Sequence, residues 1–290
     1  MEIIIQTEAA AAALMAWVIG KELRANPRLV LGLAAGSTME PVYARLVRMH
    51  QEEGLDFSRC RTFNLDEYAG LSPSHANSFS TFMRHHLFDK VNIRPENAHL
   101  PNGAADDLEA ECANYERLIQ GSGGIDLQIL GIGRTGHLGF NEPPSPLDSR
   151  TRVQALSPLT REQNAPLFAP PSQMPRLAIT IGIGTILDSR RCLLLATGER
   201  KAQIVAKAIA GPVTPLVPAS ALQLHPDCAV ILDDAAAGQL PGAEDYRLAF
   251  ENEPRWQPFR EWRARAVAPR QESRSKKSSL PSNKGWHSVS

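Results

Sequence analysis

The chain alternates between short apolar runs and longer segments with helical periodicity, and this alternation constrains its fold most. Six runs have the composition of buried strands: "RLVLGLA", "CRTFNLD", "DLQILGIG", "RLAITIGIG", "RCLLLAT" and "CAVILDD". Four segments between them repeat apolar residues every three or four positions: "TMEPVYARLVRMHQEE", "SFSTFMRHHLFDKV", "DLEAECANYERLIQ" and "ERKAQIVAKAIAG". Strands that are apolar throughout are covered on both faces. The pattern therefore predicts an α/β fold with a mostly parallel sheet sandwiched by helices.

The composition indicates a globular protein with a large core. The chain has 290 residues, 43% of them hydrophobic, with 31 basic (Lys and Arg) and 31 acidic residues. Because the charges balance, no overall field favours nucleic acid, a membrane surface or an acidic partner. Any anion site must be local.

The cysteines and the N-terminus predict a reducing, cytoplasmic location. Cys60, Cys112, Cys192 and Cys228 lie far apart without metal-ligand spacing, so we expect reduced, mostly buried thiols and no metal site. The N-terminal stretch "MEIIIQTEAAAAALMAWVIGKEL" has an acid at its second position and charges within its apolar run, unlike a signal peptide or a membrane span.

The C-terminal end differs in composition from the rest. Residues 263–290, "RARAVAPRQESRSKKSSLPSNKGWHSVS", are rich in serine, proline and basic residues. Such a segment cannot bury enough apolar surface to fold alone, so we predict a disordered tail after a single α/β domain of residues 1–262.

One glycine-rich stretch, "IDLQILGIGRTGHLGFNEP", joins a predicted strand to a polar loop. Gly131, Gly133 and Gly136 match the spacing of a dinucleotide-binding fingerprint, but the following His-Leu-Gly-Phe-Asn-Glu-Pro-Pro cannot propagate the required helix. The loop is therefore expected to present side chains. His137 and Glu142 are a proton-transfer pair by chemical type, and glycines leave the imidazole accessible.

Two further segments suggest an anion site. In "LGLAAGSTMEP", a strand leads through Gly36, Ser37 and Thr38 into a helix, where free backbone amides and hydroxyls attract anions. An ordinary helix N-cap is the alternative. In "LLLATGERKAQIV", Lys201 lies in the first turn of a helix, an unfavourable place for a cation unless an anion is near, although a plain surface lysine is the commoner case.

A third strand end, "TFNLDEYAGL", carries the adjacent carboxylates Asp66 and Glu67. Neighbouring side chains of an extended chain point in opposite directions, so at most one of the two can face a given pocket. Asp66 is the candidate general base. The alternative is a solvated loop acid or the N-cap of a turn.

Seven blocks of the chain, in order, resemble the glucosamine-6-phosphate deaminase family between about residues 31 and 240. They are "LGLAAGSTMEPVYARL", "TFNLDEYAGL", "HANSFSTFMRHHLFDKV", "GIGRTGHLGFNEP", "DSRTRV", "AITIGIGTIL" and "ASALQLHPDCAVILDD". The resemblance implies a modified Rossmann-like, three-layer fold. It also implies conversion of an aminosugar phosphate and water to fructose 6-phosphate and ammonia, without metal or redox cofactor.

The resemblance also implies roles for individual residues. Asp66 would be the base that moves a proton between C2 and C1 of the sugar, His137 would assist ring opening, and Glu142 would set the protonation of His137. The positions that match the family's sugar-phosphate contacts are Gly36, Ser37, Thr38 and Lys201.

The sequence departs from the family pattern at two positions near these residues. Thr135 stands where the best-known members have an aspartate before the Gly-His pair, so a carboxylate that would favour the charged imidazole is missing. Pro166 aligns with a phosphate-binding arginine of the lid segment, so bidentate recognition from the lid would be lost.

The family's allosteric site for an acetylated aminosugar phosphate is only partly present. Ser145 and Arg152 match it, whereas Pro146 and Gln154 replace a serine and a lysine. We therefore do not expect the same activation.

Several alternatives stay open from the sequence. The substrate could be galactosamine 6-phosphate or another aminosugar phosphate, or the protein could be a non-catalytic sugar-phosphate sensor. The related 6-phosphogluconolactonases also use a Gly-His loop, but "NLDEY" and "FNEP" fit the deaminases better. A homo-oligomer is possible.

Overall fold

The computed structural model describes residues 1–168 and 170–267. The strands in this part of the chain are β1 (Glu2–Gln6), β2 (Val30–Leu33), β3 (Arg61–Asn64), β4 (Asp66–Tyr68), β5 (Ala98–His99), β6 (Leu127–Gly131), β7 (Arg152–Ala155), β8 (Leu177–Thr180), β9 (Arg191–Ala196) and β10 (Cys228–Asp233). The α-helices are α1 (Glu8–Ala25), α2 (Glu40–Glu53), α3 (Phe79–His86), α4 (Leu108–Gly121), α5 (Pro158–Asn164), α6 (Ile183–Leu187), α7 (Ala202–Ala210), α8 (Ala243–Asn252) and α9 (Gln257–Val267).

A seven-stranded parallel sheet forms the centre of the fold. Its strand order is β1-β10-β9-β6-β2-β3-β5, and every neighbouring pair is parallel. The side chains of β2 and β10 are buried throughout, as expected for strands with helices on both faces. The predicted fold class, a mostly parallel sheet between helices, is confirmed.

A second, smaller sheet distinguishes the fold from a simple doubly wound sandwich. Strands β4, β8 and β7 form it in that order with antiparallel pairing. The predicted strand "RLAITIGIG" thus lies outside the parallel sheet. The predicted strand "CRTFNLD" is split, because its first half pairs with β2 and the chain then enters the small sheet as β4.

The N-terminal stretch supplies a strand and a helix that the sequence patterns did not identify. Strand β1 pairs in register with β10 at the edge of the large sheet, and α1 follows it directly. Most side chains of α1 are buried, so its apolar run covers the sheet and shows little amphipathic periodicity. None of the described helices is both long and apolar enough to cross a membrane.

The chain divides into two compact units, Met1–Glu253 and Pro254–Ser290. In the second unit the structure describes a short 3-10 turn, Pro254–Trp256, and helix α9, which includes residues 263–267 of the predicted tail. The rest of that tail, residues 268–290, lies outside the described residues, and the proposed extents of domain and tail stay predictions.

Candidate active site

Four loops meet above the carboxyl edge of the large sheet. They follow β9, β6, β2 and β3, which are neighbours in the strand order. From β2 the chain continues towards β3, whereas from β6 it continues towards β9, so the order reverses between β2 and β6. Open parallel sheets bind ligands in the crevice at such a switch point. Here the loops surround an open cleft of about 680 Å³.

Asp66 lies in the wall of this cleft, at the point where the chain passes from one sheet to the other. The amide of Leu65 donates to the carbonyl of Leu33 (2.9 Å), and its carbonyl accepts from the amide of Ile181 (2.7 Å), so this crossing is held from both sides. Asp66 is only 5% exposed. Among the described residues, no group donates a hydrogen bond to its carboxylate.

The surroundings of Asp66 make it a stronger base than an ordinary aspartate. Burial, and then the negative charge of Glu67, raise the pKa of Asp66 well above its ordinary value. A general base works best when its pKa approaches the working pH and when no donor occupies its oxygens. The raised pKa moves Asp66 in this direction, and no described residue donates a hydrogen bond to its oxygens.

Glu67 faces away from the cleft and has a different role. Its carboxylate accepts hydrogen bonds from the amides of Tyr68 (2.8 Å), Phe79 (3.0 Å) and Ser80 (3.0 Å). It therefore caps the N-terminus of α3, together with the side chain of Ser78. The prediction that only one of the two carboxylates faces the pocket agrees with this geometry.

His137 contacts two polar partners through Nδ1. This atom lies 2.9 Å from Oγ1 of Thr135 and 3.3 Å from Oε2 of Glu142. The hydroxyl of Thr135 also donates to Oε2 of Glu142 (3.3 Å). The Glu142 carboxylate can only accept hydrogen bonds, and the Thr135 hydroxyl already donates its proton to that carboxylate. Nδ1 must therefore be the donor in both of its contacts, so we assign a proton to Nδ1. Nε2 is then unprotonated and takes part in no hydrogen bond to a described residue, and His137 lines the cleft.

Glu142 is buried behind His137 and is held by the lid segment, defined here as residues 157–168. Its Oε1 accepts a hydrogen bond from the hydroxyl of Thr160, which in turn accepts from Ser157. Burial raises the pKa of Glu142. The hydrogen bond and charge of His137 and the hydroxyls of Thr160 and Ser157 outweigh that effect, so its pKa lies below the ordinary value. Glu142 is therefore suited to stay ionised behind the imidazole.

Two glycines of this loop allow the close packing of the site. A methyl group at Gly133 would collide with the ring of His137, so the imidazole lies directly across this backbone. Gly139 has φ +57°, and a methyl group there would lie 3.1 Å from Oδ2 of Asp66. The His137 loop and the Asp66 crossing thus approach each other at van der Waals distance without a side chain between them.

The loop after β2 presents unpaired donors to the cleft. Gly36 has φ +124°, and a short 3-10 turn, Ser37–Met39, leads into α2. Neither hydroxyl of Ser37 and Thr38 caps the helix, and no described residue bonds to them. The alternative of an ordinary N-cap is therefore wrong. The hydroxyls and the amides at this helix start point to a site for an anion.

Lys201 completes this end of the cleft. It precedes α7, and its Nζ donates a hydrogen bond of 2.6 Å to the carbonyl of Ile132, at the start of the His137 loop. Burial, and then the positive charge of Arg134, lower the pKa of Lys201. The ammonium group is therefore tied to the loop and faces the cleft, unlike a plain surface lysine.

The lid segment forms part of the cleft wall through Gln163, Asn164, Leu167 and Phe168. Asn164 donates to the hydroxyl of Tyr68 (3.0 Å), and Asn77 donates to the carbonyl of Leu167 (2.8 Å). Phe168 packs on Tyr68 with ring centroids 5.7 Å apart. Pro166 is exposed and does not line the cleft.

Residues that align with the family's allosteric site form hydrogen bonds with one another, centred on Arg152. Arg152 donates to Oδ1 of Asn141 (2.8 Å), to Oγ of Ser145 (2.9 Å) and to Oε1 of Gln154 (3.0 Å). Burial lowers the pKa of Arg152. The guanidinium thus holds the loop after His137 in place through Asn141.

The structure brings the predicted site residues together around one cleft. Those that line it are Gly36, Ser37, Thr38, Asp66, His137 and Lys201. Glu142 lies directly behind His137. Sequence reasoning did not assign the bridging position of Thr135, the lid contact of Thr160 or the capping role of Glu67. The capping role of Glu67 has a weak sequence signal, since a carboxylate often caps a helix. The contacts of Thr135 and Thr160 have none, because they depend on how the segments pack in the folded protein.

Comparison with known sequences identifies the family. The sequence model described as "Glucosamine-6-phosphate isomerases/6-phosphogluconolactonase" matches residues 5–230. The chain belongs to this family. The resemblance stated from the sequence blocks is therefore confirmed.

Two relatives within this family cover most of the chain. Glucosamine-6-phosphate deaminase 2 of Giardia intestinalis is 53% identical over 231 residues, which are 79% of this chain and 88% of the relative. Glucosamine-6-phosphate deaminase of Arthrobacter sp. (strain FB24) is 48% identical over 245 residues, 84% of this chain and 94% of the relative.

Solved structures of family members share the architecture. A monomeric glucosamine-6-phosphate deaminase superposes with a TM-score of 0.81 at 44% identity, covering 82% of this chain and all of that protein. A 6-phosphogluconolactonase from Trypanosoma cruzi has a TM-score of 0.64 at 21% identity, over 83% of this chain and 97% of that protein. At that identity the likeness shows the fold alone.

Proposed function

We propose that this protein is a glucosamine-6-phosphate deaminase, which converts glucosamine 6-phosphate and water to fructose 6-phosphate and ammonia. The observation that carries the proposal is the placement of three chemical functions around one cleft. Asp66, a buried carboxylate that accepts no hydrogen bond from a described residue, lines the same cleft as the imidazole of His137 and the hydroxyl residues Ser37 and Thr38. The closely similar relatives described above have this activity by name.

The phosphate group sets the position of the sugar. The amides and hydroxyls at the start of α2 and the ammonium of Lys201 bind the phosphate oxygens at one end of the cleft. The chain from C6 to C1 then extends along the cleft floor towards His137 and Asp66. Fixing both ends turns proton transfer into a step within one bound complex, which is a large part of the rate gain.

The first chemical step opens the pyranose ring. Nε2 of His137 is the candidate shuttle: it takes the proton of the C1 hydroxyl and returns a proton to the ring oxygen, giving the open-chain aldehyde. Thr135 and ionised Glu142 hold the imidazole by Nδ1 and stabilise its charged form during the transfer. This role for Glu142 matches the one that the family resemblance implies.

The second step moves a proton along the carbon chain. The Asp66 carboxylate removes the proton from C2 while the C1 carbonyl oxygen takes a proton from the substrate's ammonium group, giving a neutral enolamine. Protonated Asp66 then gives its proton to C1, which leaves an iminium group at C2. Water adds to C2, one of its protons passes to the nitrogen, and the C–N bond then breaks. Ammonia leaves as the remaining hydroxyl proton is lost and the C2 carbonyl forms, which gives fructose 6-phosphate. The raised pKa of Asp66 suits the removal of a carbon-bound proton.

The proposal is tested by a substrate panel with the purified full-length protein. Release of ammonia and formation of fructose 6-phosphate should be measured with glucosamine 6-phosphate, galactosamine 6-phosphate and unphosphorylated glucosamine. We expect turnover of the first and little of the last. Binding of the sugar phosphates without release of ammonia would favour the sensor alternative. The cytoplasmic location, the absence of nucleic-acid and membrane partners and any homo-oligomer stay predictions.

A further inference from the structure

Arg134 is a cation at the edge of the cleft that the proposed chemical steps do not use. It follows Gly133 in the loop between β6 and His137, and it lines the cleft together with Ser37, Thr38 and Lys201. Its side chain is exposed. Among the described residues, no carboxylate or carbonyl accepts a hydrogen bond from its guanidinium.

The fold brings Arg134 and Lys201 together without a counter-ion. Lys201 donates its hydrogen bond to the carbonyl of Ile132, two positions before Arg134. The charge of Arg134 is, after burial, the second cause that lowers the pKa of Lys201. The two cations line the same cleft and repel each other, so an anion that binds at this end of the cleft is attracted by both and relieves their repulsion.

Apart from Arg134 and Lys201, no described residue that lines the cleft carries a fixed positive charge. Of the described residues that line it, the lid segment contributes only neutral ones: Gln163, Asn164, Leu167 and Phe168. The carboxyl groups of Glu40 and Asp66 also line the cleft and supply no positive charge. A phosphate monoester carries about −1.5 to −2 charges near neutral pH. Lys201 alone would leave part of that charge unpaired in a partly buried site.

We infer that Arg134 is a substrate-binding residue and supplies the second cation of the phosphate site. Its guanidinium contacts the phosphate from the β6 loop, across from Ser37 and Thr38, with Lys201 beside it. The planar guanidinium suits bidentate contact with two phosphate oxygens. This inference rests on the proposed function, because it concerns how that substrate is held.

The position of Arg134 also affects how the sugar is oriented. It is three residues before His137, in a loop closed by a hydrogen bond from the Gly133 amide to the His137 carbonyl (2.9 Å). Phosphate binding and placement of the imidazole therefore occur on the same short, closed loop. A contact at Arg134 orients the sugar relative to Nε2 without any movement of the lid.

The test compares Arg134→Ala and Arg134→Lys with Arg200→Ala. Arg200 is a matched control: it is an exposed arginine next to Lys201 that does not line the cleft. It lines the adjoining cavity of about 580 Å³, which shares Ser37, Thr38 and Lys201 with the cleft, so the pair of variants tests from which side the second cation comes. The measurements are kcat and KM for glucosamine 6-phosphate, inhibition by inorganic phosphate, and binding of fructose 6-phosphate by calorimetry. Melting temperatures report whether each variant is folded.

We expect Arg134→Ala to raise KM and the inhibition constant of inorganic phosphate by roughly 10- to 100-fold, with kcat changed by less than about threefold. Arg134→Lys should recover part of the affinity because the charge returns without the planar fork. Arg200→Ala should change KM by less than about twofold, as expected for a surface charge.

Three outcomes would overturn the inference. Unchanged KM and phosphate inhibition in Arg134→Ala would show that the phosphate does not touch this side chain. An equal loss in Arg134→Ala and Arg200→Ala would indicate general attraction of anions, and a loss in Arg200→Ala alone would place the phosphate in the adjoining cavity. If the wild-type protein releases no ammonia, the proposed activity fails, but calorimetry with fructose 6-phosphate and phosphate still decides whether Arg134 binds the anion.

Discussion

Oγ1 of Thr135 lies 2.9 Å from Nδ1 of His137 and 3.3 Å from Oε2 of Glu142, so one hydroxyl bridges the imidazole and the carboxylate. The family pattern that the sequence resembles predicts an aspartate at this position. In this protein the neutral hydroxyl of Thr135 helps to orient the imidazole, because it accepts a hydrogen bond from Nδ1 and donates one to Glu142. The imidazole is thus oriented with one carboxylate in contact instead of two.

Thr135→Val should therefore impair catalysis while the site still binds substrate. We expect kcat/KM to fall roughly 10-fold, the effect of removing one hydrogen bond that orients a catalytic group. Thr135→Ser keeps the hydroxyl and should retain most of the activity. If Thr135→Val has wild-type kcat/KM across the pH range, the bridge has no role and the direct contact between His137 and Glu142 suffices.

Asp66→Asn should remove the base and keep the shape of the site. We expect kcat to fall by roughly 10²- to 10⁴-fold, while calorimetry shows nearly unchanged binding of fructose 6-phosphate. The decisive measurement is isotope exchange at C1 of fructose 6-phosphate in deuterated water with an ammonium salt present, because the imine at C2 must form before C1 loses a proton. Exchange at the wild-type rate in the variant would assign the base to another residue.

The Asp66→Asn variant should also be more stable than the wild type at neutral and higher pH. The pKa of Asp66 is raised in the folded state, so its contribution to stability is greatest at low pH, where it is protonated, and is lost as the pH rises through the folded pKa. Asparagine avoids the cost of burying the charge. We expect the melting temperature of Asp66→Asn to exceed that of the wild type above this pKa and the two to converge below it. A constant difference at every pH would contradict the burial of an ionised group.

His137→Gln should affect the cyclic substrate more than an open-chain one. Ring opening is the step that we assign to Nε2, so an open-chain aminosugar phosphate analogue bypasses it. We expect a loss of roughly 10²-fold or more in kcat/KM for glucosamine 6-phosphate and a much smaller loss for the analogue. Equal losses for both compounds would assign His137 to a later step.

Lys201→Ala should weaken phosphate binding strongly. Loss of a charge-assisted contact in this partly buried site should lower kcat/KM by the equivalent of about 2 to 3 kcal/mol. We expect most of this loss to appear as a higher KM. Because Lys201 also tethers the carbonyl of Ile132, Lys201→Gln is the control, since its amide can still donate to that carbonyl without the charge. An unchanged KM for every phosphorylated aminosugar in Lys201→Ala would place the phosphate elsewhere.

Much of the fold follows from local patterns that sequence alone displays. Apolar runs bounded by polar residues predicted the buried strands, and helical periodicity predicted α2, α3, α4 and α7 near their observed bounds. The polar residues after β2, β3, β6 and β9 could be assigned to one edge, because the carboxyl ends of parallel strands coincide. Strand β1 and helix α1 were not predicted, since a helix buried on nearly all sides has little amphipathic signal.

The sequence by itself thus determined the fold class, the family and the set of chemical groups at the site. Only the tertiary structure decided how those groups meet. Nothing local places Thr160 of the lid on Glu142, 18 positions away, or Asp66 against Gly139. The split of one predicted strand at Leu65, which turns Asp66 into the cleft, likewise depends on hydrogen bonds to Leu33 and Ile181. Such contacts arise from packing between segments distant along the chain, and local periodicity carries no information about them.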